Sequence, residues 1–377
     1  MEYNEKYMNF GEGKLMIVTD MKIGKINLPL KKDYQKYYNI IDKPEEVVIK
    51  IITDTEEIGI GSAATTYKIT GDTEESILGA LNVIKTNLIG KEIDDLQGTF
   101  KLLDNVIANN TSAKAAVDMA IYDLFGKKYN IPLYKLFGGY RNSIETDITI
   151  NFGSTEDMVS TALDAIMKGY TCLKLKVGTD THTAIDRIKH ISKAIRKGTI
   201  VRIDADQSWR PKEAVRTIRK LEDMDLDIDF VEQPVKARDY EGLKFVKENV
   251  DVEILADESV LGPSETLKIV KDRSADLINI KLMKCGGFHN ALKMVSMAEI
   301  PGIKCMMGCM LESKIGITAA ASFAVARSNM INADLDTMLM FEEDSIIGGA
   351  EIRNNIITLS DEPGLGIKGI LGWQEIK

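Results

Sequence analysis

Leu173-Lys174-Leu175-Lys176-Val177 is the stretch that decides how the rest of the chain is read. Apolar and basic residues alternate and Gly178 follows, so the stretch predicts a β-strand. Side chains two residues apart share a strand face. Lys174 and Lys176 therefore lie on one side, with Leu173, Leu175 and Val177 on the other. Two lysines directed into an interior are costly unless negative groups meet them.

The chain downstream supplies acids at regular intervals. Ile200-Val201-Arg202-Ile203-Asp204-Ala205-Asp206 predicts a strand ending in acids, Ile228 to Glu232 a second, Glu253 to Asp257 a third. Leu277-Ile278-Asn279-Ile280-Lys281 ends in a lysine, and Ile331 to Asp336 ends in two further acids. From Lys176 through Asp204, Glu232 and Asp257 to Lys281 the steps are 24 to 28 residues. That is the length of one strand, one helix and two loops. The step to Asp334 is about twice as long and holds one more strand, Ile303 to Gly308. Such a series predicts a (β/α)7β barrel of the TIM type, with its active site at the C-terminal ends of the strands.

At 377 residues the chain is long enough for two domains and a sizeable core. Its net charge of −9, without a basic stripe, argues against a nucleic-acid partner. Cys172, Cys285, Cys305 and Cys309 have neither metal-ligand nor disulfide spacing, which suits reduced thiols in a cytoplasmic protein. No apolar run is long enough for a membrane span.

The expected organisation is an N-terminal extension at 1–20, an α+β capping domain at 21–140, the barrel at 141–345 and a tail at 346–377 that returns to the capping domain. A strand is expected from Ile26, others at Val47–Ile52 and Ile58–Ser62, and helices at Thr73–Leu88 and Ser112–Tyr129, the latter with Ser112 as a candidate cap.

Asp204, Glu232 and Asp257, at three successive strand ends and without His or Cys, suit a hard cation, Mg²⁺ with Mn²⁺ as the alternative. Lys176 and Lys281 lie before and after them in the series, on opposite sides of a barrel. They are placed to take a proton from one face of an α-carbon and return one to the other, and Lys174 is a cation that would lower the pKa of Lys176. The bland role for Lys281 is a salt bridge to an acid such as Glu258. His182, His190 and His289 fall in loops or helices, which disfavours a histidine base. Asp334 and Asp336 are expected on one face of the last strand, suited to a substrate ammonium.

Taken together, Lys174-Leu175-Lys176, Asp204, Glu232-Gln233-Pro234, Asp257-Glu258-Ser259 and Asn279-Ile280-Lys281 resemble the enolase superfamily, in its muconate-lactonizing subgroup. Asp334-Leu335-Asp336 resembles the dipeptide epimerases within it, as do Ile69 to Asp72 and Met283 to Gly287. The resemblance implies Mg²⁺ on Asp204, Glu232 and Asp257, chelated by the C-terminal carboxylate of a dipeptide. It implies 1,1-proton transfer by Lys176 and Lys281 through an enediolate, inverting the second residue, with Lys174 helping to hold the carboxylate and Asp334 and Asp336 holding the α-ammonium. Cys309 and Met310 join the expected substrate-binding set, and further copies of the chain are expected partners.

Two departures from the family pattern stand out. Asp-Ala-Asp at 204–206 replaces the usual Asp-Ala-Asn, which places Asp206, with Glu258, just behind the ligands. Members acting on L-Ala-Glu resemble one another in carrying an arginine in the first capping loop; that place holds Asn39, so an uncharged second residue is as well supported as Glu. Cycloisomerase, o-succinylbenzoate synthase and N-acylamino acid racemase are the alternatives on this scaffold, and their substrates lack the free ammonium. An acid-sugar dehydratase ranks lower, because no strand-end histidine is present.

Overall fold

A computed structural model describes residues 15–35, 44–224 and 226–376. The described residues open with an antiparallel sheet of β1 (Val18–Asn27), β2 (Glu45–Thr53) and β3 (Ile58–Ala63). The strand expected from Ile26 begins eight residues earlier. Val18, Met21, Ile23 and Ile26 are buried while Thr19, Lys22 and Lys25 are at least partly open, so a mixed, polar-looking stretch still has one buried face. Three helices follow: α1 (Glu74–Leu88), α2 (Leu96–Val106), which the sequence reading did not anticipate, and α3 (Thr111–Lys128). Ser112 does not cap α3; Asn110 stands at the cap, and Ser112, two residues on in the first turn, donates its N–H to Asp72 Oδ2 at 3.0 Å.

The helix α3 is buried nearly all round. The sheet covers one side and barrel helices the other, so its apolar residues do not form a single stripe. Gly59 and Gly61 allow this packing: a β-carbon on either would lie 2.2 or 1.9 Å from a carbonyl oxygen of α3.

The barrel strands are β4 (Ile148–Ile150), β5 (Cys172–Lys176), β6 (Ile200–Asp204), β7 (Asp227–Glu232), β8 (Glu253–Ala256), β9 (Leu277–Ile280), β10 (Lys304–Gly308) and β11 (Met330–Asp334). All eight are parallel and paired in sequence order, a nearly closed barrel as expected. The helices between them are α4 (Thr155–Met167), α5 (Thr181–Ala194), α6 (Pro211–Glu222), α7 (Tyr240–Lys247), α8 (Pro263–Asp272), α9 (Phe288–Glu299) and α10 (Lys314–Ala326). Side chains close the seam between β4 and β11. Leu335 N donates to Thr146 Oγ1 at 2.8 Å, Thr149 N to Asp336 Oδ2 at 2.8 Å, and Arg202 Nη1 to both Asp147 Oδ2 and the Ala333 carbonyl, at 2.7 and 3.0 Å. Phe230, Leu255, Leu277 and Met306 fill the barrel interior below.

In the tail, Glu351–Arg353 and Ile356–Thr358 form a sheet with Ser143–Glu145, and Gln374–Glu375 pairs with β1.

Glu46 of β2 crosses from the capping sheet to the barrel. Both its carboxylate oxygens accept from Ser313 N, at the cap of α10, at 3.2 Å. Burial pushes its pKa up to about 7, against the Ser313 hydrogen bonds. A carboxyl raised in this way stabilises the fold below its unfolded value and loses that contribution as pH rises through about 7. Glu46→Gln is therefore expected to flatten the pH dependence. Between pH 5 and 8 the wild type should lose up to about 3 kcal/mol relative to the variant, read from thermal melts of both across that range.

Candidate active site

The parallel register sets Lys176 opposite Asp204 and Asp204 opposite Glu232, at one level of the barrel. Asp257 and Lys281 follow the last residues of β8 and β9. Inward side chains alternate along each strand, so Lys174 and Arg202 lie one layer below Lys176 and Asp204. The strand ends thus bring together the residues that the sequence singled out.

Lys174 is buried at the centre. Its Nζ lies 2.7 Å from Asp334 Oδ2, 2.8 Å from Glu232 Oε2 and 3.1 Å from Asp204 Oδ2. Lys176 Nζ donates to Asp204 Oδ2 at 3.0 Å, and Lys281 Nζ donates to Asp257 Oδ2 at 2.7 Å. Lys281 thus bonds Asp257, and not the Glu258 weighed from the sequence. Burial, the largest influence, opposes the charge on both lysines, but the acids around them, led by Asp204 and Asp257, together outweigh it, and both are held above the ordinary lysine range. Lys174 does act to lower the pKa of Lys176, as expected; Asp204, in direct contact, exceeds it. The lysines in turn hold Asp204 and Asp257 well below the usual carboxylate range despite burial.

The acids are fixed by neighbours the sequence reading assigned no such task. Asn279 Nδ2 donates to Glu232 Oε1 at 2.8 Å. Gln233 has φ +38°, a left-handed conformation uncommon for a side chain of its size. From there its Oε1 accepts from Asp257 N and Ser259 N at 2.9 and 3.1 Å, while its Nε2 donates to Val235 O and Ser259 Oγ. Strand alternation marks Asn279 as inward, two residues before Lys281; nothing in the sequence marks the turn at Gln233. Asp206 donates its N–H to Asp204 Oδ1 at 3.0 Å. Glu258 is pushed up to about 9 by burial, with the charges of Asp257 and Asp204 and a hydrogen bond to Asp206 adding.

Asp334 ends β11, but Asp336 lies beyond it, where the backbone has turned helical, so the two do not share a strand face as expected. They are nevertheless neighbours: burial and the Asp334 charge push Asp336 up to about 6. Cys309 directs its Sγ to the Asp334 carbonyl at 3.2 Å, and Met310 is half-buried, its N–H bonded to Glu312 Oε1. Asn39 lies outside the described residues, together with 36–43 of the first capping loop. His182 and His190 are on α5 and His289 is on α9, where its ring stacks on Phe100.

Among the described residues no three His, Cys, Asp or Glu groups are gathered as a ready cation cage. Each of Asp204, Glu232 and Asp257 is turned onto a lysine instead. The donor chemistry still fits a hard divalent ion. All three acids are buried, and Glu232 Oε2, though close to Lys174, accepts no hydrogen bond.

Residues 28–138 match the family described as mandelate racemase / muconate lactonizing enzyme, N-terminal domain, and residues 157–369 match the enolase C-terminal domain-like family. The chain is a member of the enolase superfamily, in the mandelate racemase/muconate lactonizing branch. Among its relatives is a protein of Clostridium acetobutylicum named L-Ala-D/L-Glu epimerase, 49% identical over 94% of this chain and 99% of that one. The substrate-liganded L-Ala-D/L-Glu epimerase of Bacillus subtilis superposes with a TM-score of 0.91 at 42% identity, covering 94% of this chain and 99% of that one. The dipeptide epimerase of Enterococcus faecalis, in complex with Mg and L-Leu-L-Tyr, superposes with a TM-score of 0.89 at 37% identity, covering 94% and 100%. Among the described residues no helix is long and apolar enough to cross a membrane.

Proposed function

We propose that the chain epimerises dipeptides of the L-Ala-Xaa type at the second residue by a Mg²⁺-dependent 1,1-proton transfer. The observation that carries this reading is the pair of lysines at β5 and β9, each bonded to a different acid of one buried carboxylate set. Relatives and structural neighbours named as dipeptide epimerases, one of them complexed with Mg and a dipeptide, support it.

Asp204, Glu232 and Asp257 would hold the cation. Bound there, it would supply positive charge to the substrate carboxylate, and Asp204 and Asp257, in holding it, would be less available to the lysines. Lys176 and Lys281 flank the α-carbon, one as base and the other as acid. Burial acting without a carboxylate partner lowers a lysine pKa toward the value a base needs. Lys174 stays between the acids and Asp334 and keeps its charge beside the substrate carboxylate. Asp334 and Asp336 take the ammonium of the first residue, a charge-assisted contact that N-acylated substrates lack. An uncharged second residue is accepted, since no arginine occurs between Lys31 and Glu46.

The test is incubation of the protein with Mg²⁺ and a library of L-Ala-L-Xaa dipeptides in D₂O, followed by mass spectrometry. One deuterium should enter a subset of dipeptides, and EDTA should abolish incorporation. No incorporation into any dipeptide, with turnover of N-acylamino acids, would overturn the assignment.

A further inference from the structure

Lys284 is among the largest fully buried side chains of the protein, and nothing above uses it. It lies in the one-turn helix Leu282–Cys285 that follows Lys281. Its Nζ donates to the Asp257 carbonyl at 2.7 Å, to the Asn279 carbonyl at 2.9 Å and to Asp257 Oδ1. Burial works against its charge and Asp257 opposes that. The three acceptors nevertheless take all three ammonium hydrogens, which leaves none for a substrate.

The consequence lies in how Asp257 is shared. Lys284 holds Oδ1 and Lys281 holds Oδ2. The backbone of Asp257 is held on both sides, its N–H by Gln233 and its carbonyl by Lys284. Asn279, whose carbonyl Lys284 grips, is the residue that orients Glu232. One buried ammonium therefore ties the ends of β8 and β9 together and leaves Oδ2, the oxygen of Asp257 that it does not touch, to Lys281.

The turn is braced from the capping domain. Lys284 and Cys285 donate their N–H groups to the Lys281 carbonyl at 3.0 and 3.1 Å. Gly286 and Gly287 then take φ of +84° and +111°. A β-carbon on Gly287 would lie 2.3 Å from Asp118 Cγ, and the Asp118 carboxylate accepts from Phe288 N at 2.6 Å and His289 N at 3.1 Å. The segment from Lys281 to α9 is thus clamped at one end by Lys284 and at the other by α3.

We infer that Lys284 is a positioning residue, which aims Oδ2 of Asp257 at the cation and keeps Lys281 on its own face of the substrate. The inference rests on the two-lysine reading above. Its test uses the full-length protein with two readouts. Cation affinity is measured by titration calorimetry with Mg²⁺ alone. Deuterium exchange at the α-carbon is measured separately from each epimer of a turned-over dipeptide at saturating Mg²⁺.

Lys284→Met should weaken Mg²⁺ binding about 10- to 100-fold, the range for a lost partner of a metal ligand. It should also slow exchange from the epimer whose α-proton faces Lys281 by at least about tenfold more than exchange from the other, which Lys176 handles. Lys284→Arg keeps the charge but has a longer, planar head. It should retain Mg²⁺ affinity within about threefold and still show the asymmetry between epimers, so the test survives if the Met variant does not fold. Equal loss of exchange from both epimers with unchanged Mg²⁺ affinity would overturn the inference, and so would no change in either. If the wild type exchanges no dipeptide, the functional reading fails by itself, and the Mg²⁺ titration of the variants still decides the role of Lys284.

Discussion

Lys281→Ala is expected to lower net epimerisation by about 10³- to 10⁴-fold while leaving exchange of the α-proton of one epimer with solvent largely intact. The reason is geometric. Lys176 and Lys281 stand at the ends of different strands and touch different carboxylates, 3.0 and 2.7 Å away. On the proposed reading, each reaches one face of an α-carbon held between them. With Lys281 gone, Lys176 still removes a proton from its own face and returns a deuteron there, so label enters without inversion. Lys176→Ala should give the mirror result with the opposite epimer. The fold should survive, because Asp257 keeps Lys284, Gln233 and its place in the barrel. Mass and chirality are followed together in D₂O from each epimer. Full activity of Lys281→Ala, or loss of exchange from both epimers at once, would rule out the two-base mechanism.

The second large effect belongs to Asp336. Asp336→Asn keeps an oxygen for the Thr149 N–H that closes the barrel seam, yet removes the charge that the proposed function assigns to the substrate ammonium. A charge-assisted hydrogen bond contributes about 1.5 to 3 kcal/mol. The variant should therefore raise KM about 10- to 100-fold with a smaller change in kcat, because the ammonium is bound alike in ground and transition states. Asp334→Asn is the contrasting case. It also removes the partner of Lys174 at 2.7 Å, so it should lower kcat as well as raise KM. Steady-state kinetics on a dipeptide separates the two; an Asp336→Asn enzyme with unchanged KM would detach the acid from substrate binding.

Much of this architecture is legible in the sequence because two simple periods generate it. Inward positions recur every second residue on a strand, so Lys174 and Lys176, or Asn279 and Lys281, declare their face. Strand–helix units recur at 24 to 28 residues, so the polar residue ending each strand arrives at the rim of the barrel. Local chemistry was less informative. Ser112 looked like a cap and proved to lie within the first turn of the helix, two residues past the cap, where Asp72 takes its N–H. The start of β1 was hidden because its outward residues are charged and its buried face is seen only once β2 lies beside it.

The sequence by itself determined the barrel, the branch of the superfamily, and which lysines and acids reach the rim, since all three follow from periodicity and from short motifs. Tertiary structure alone decided the pairings among them. Lys174 sits between three carboxylates, Lys281 takes Asp257 rather than Glu258, Asp336 closes the seam with Thr149, and Lys284, on a turn with no strand period to expose it, shares Asp257 with Lys281. Each pairing joins residues on different strands or turns. Its choice depends on side-chain reach and on the cost of leaving a buried charge unmet, quantities that exist only once the barrel has closed.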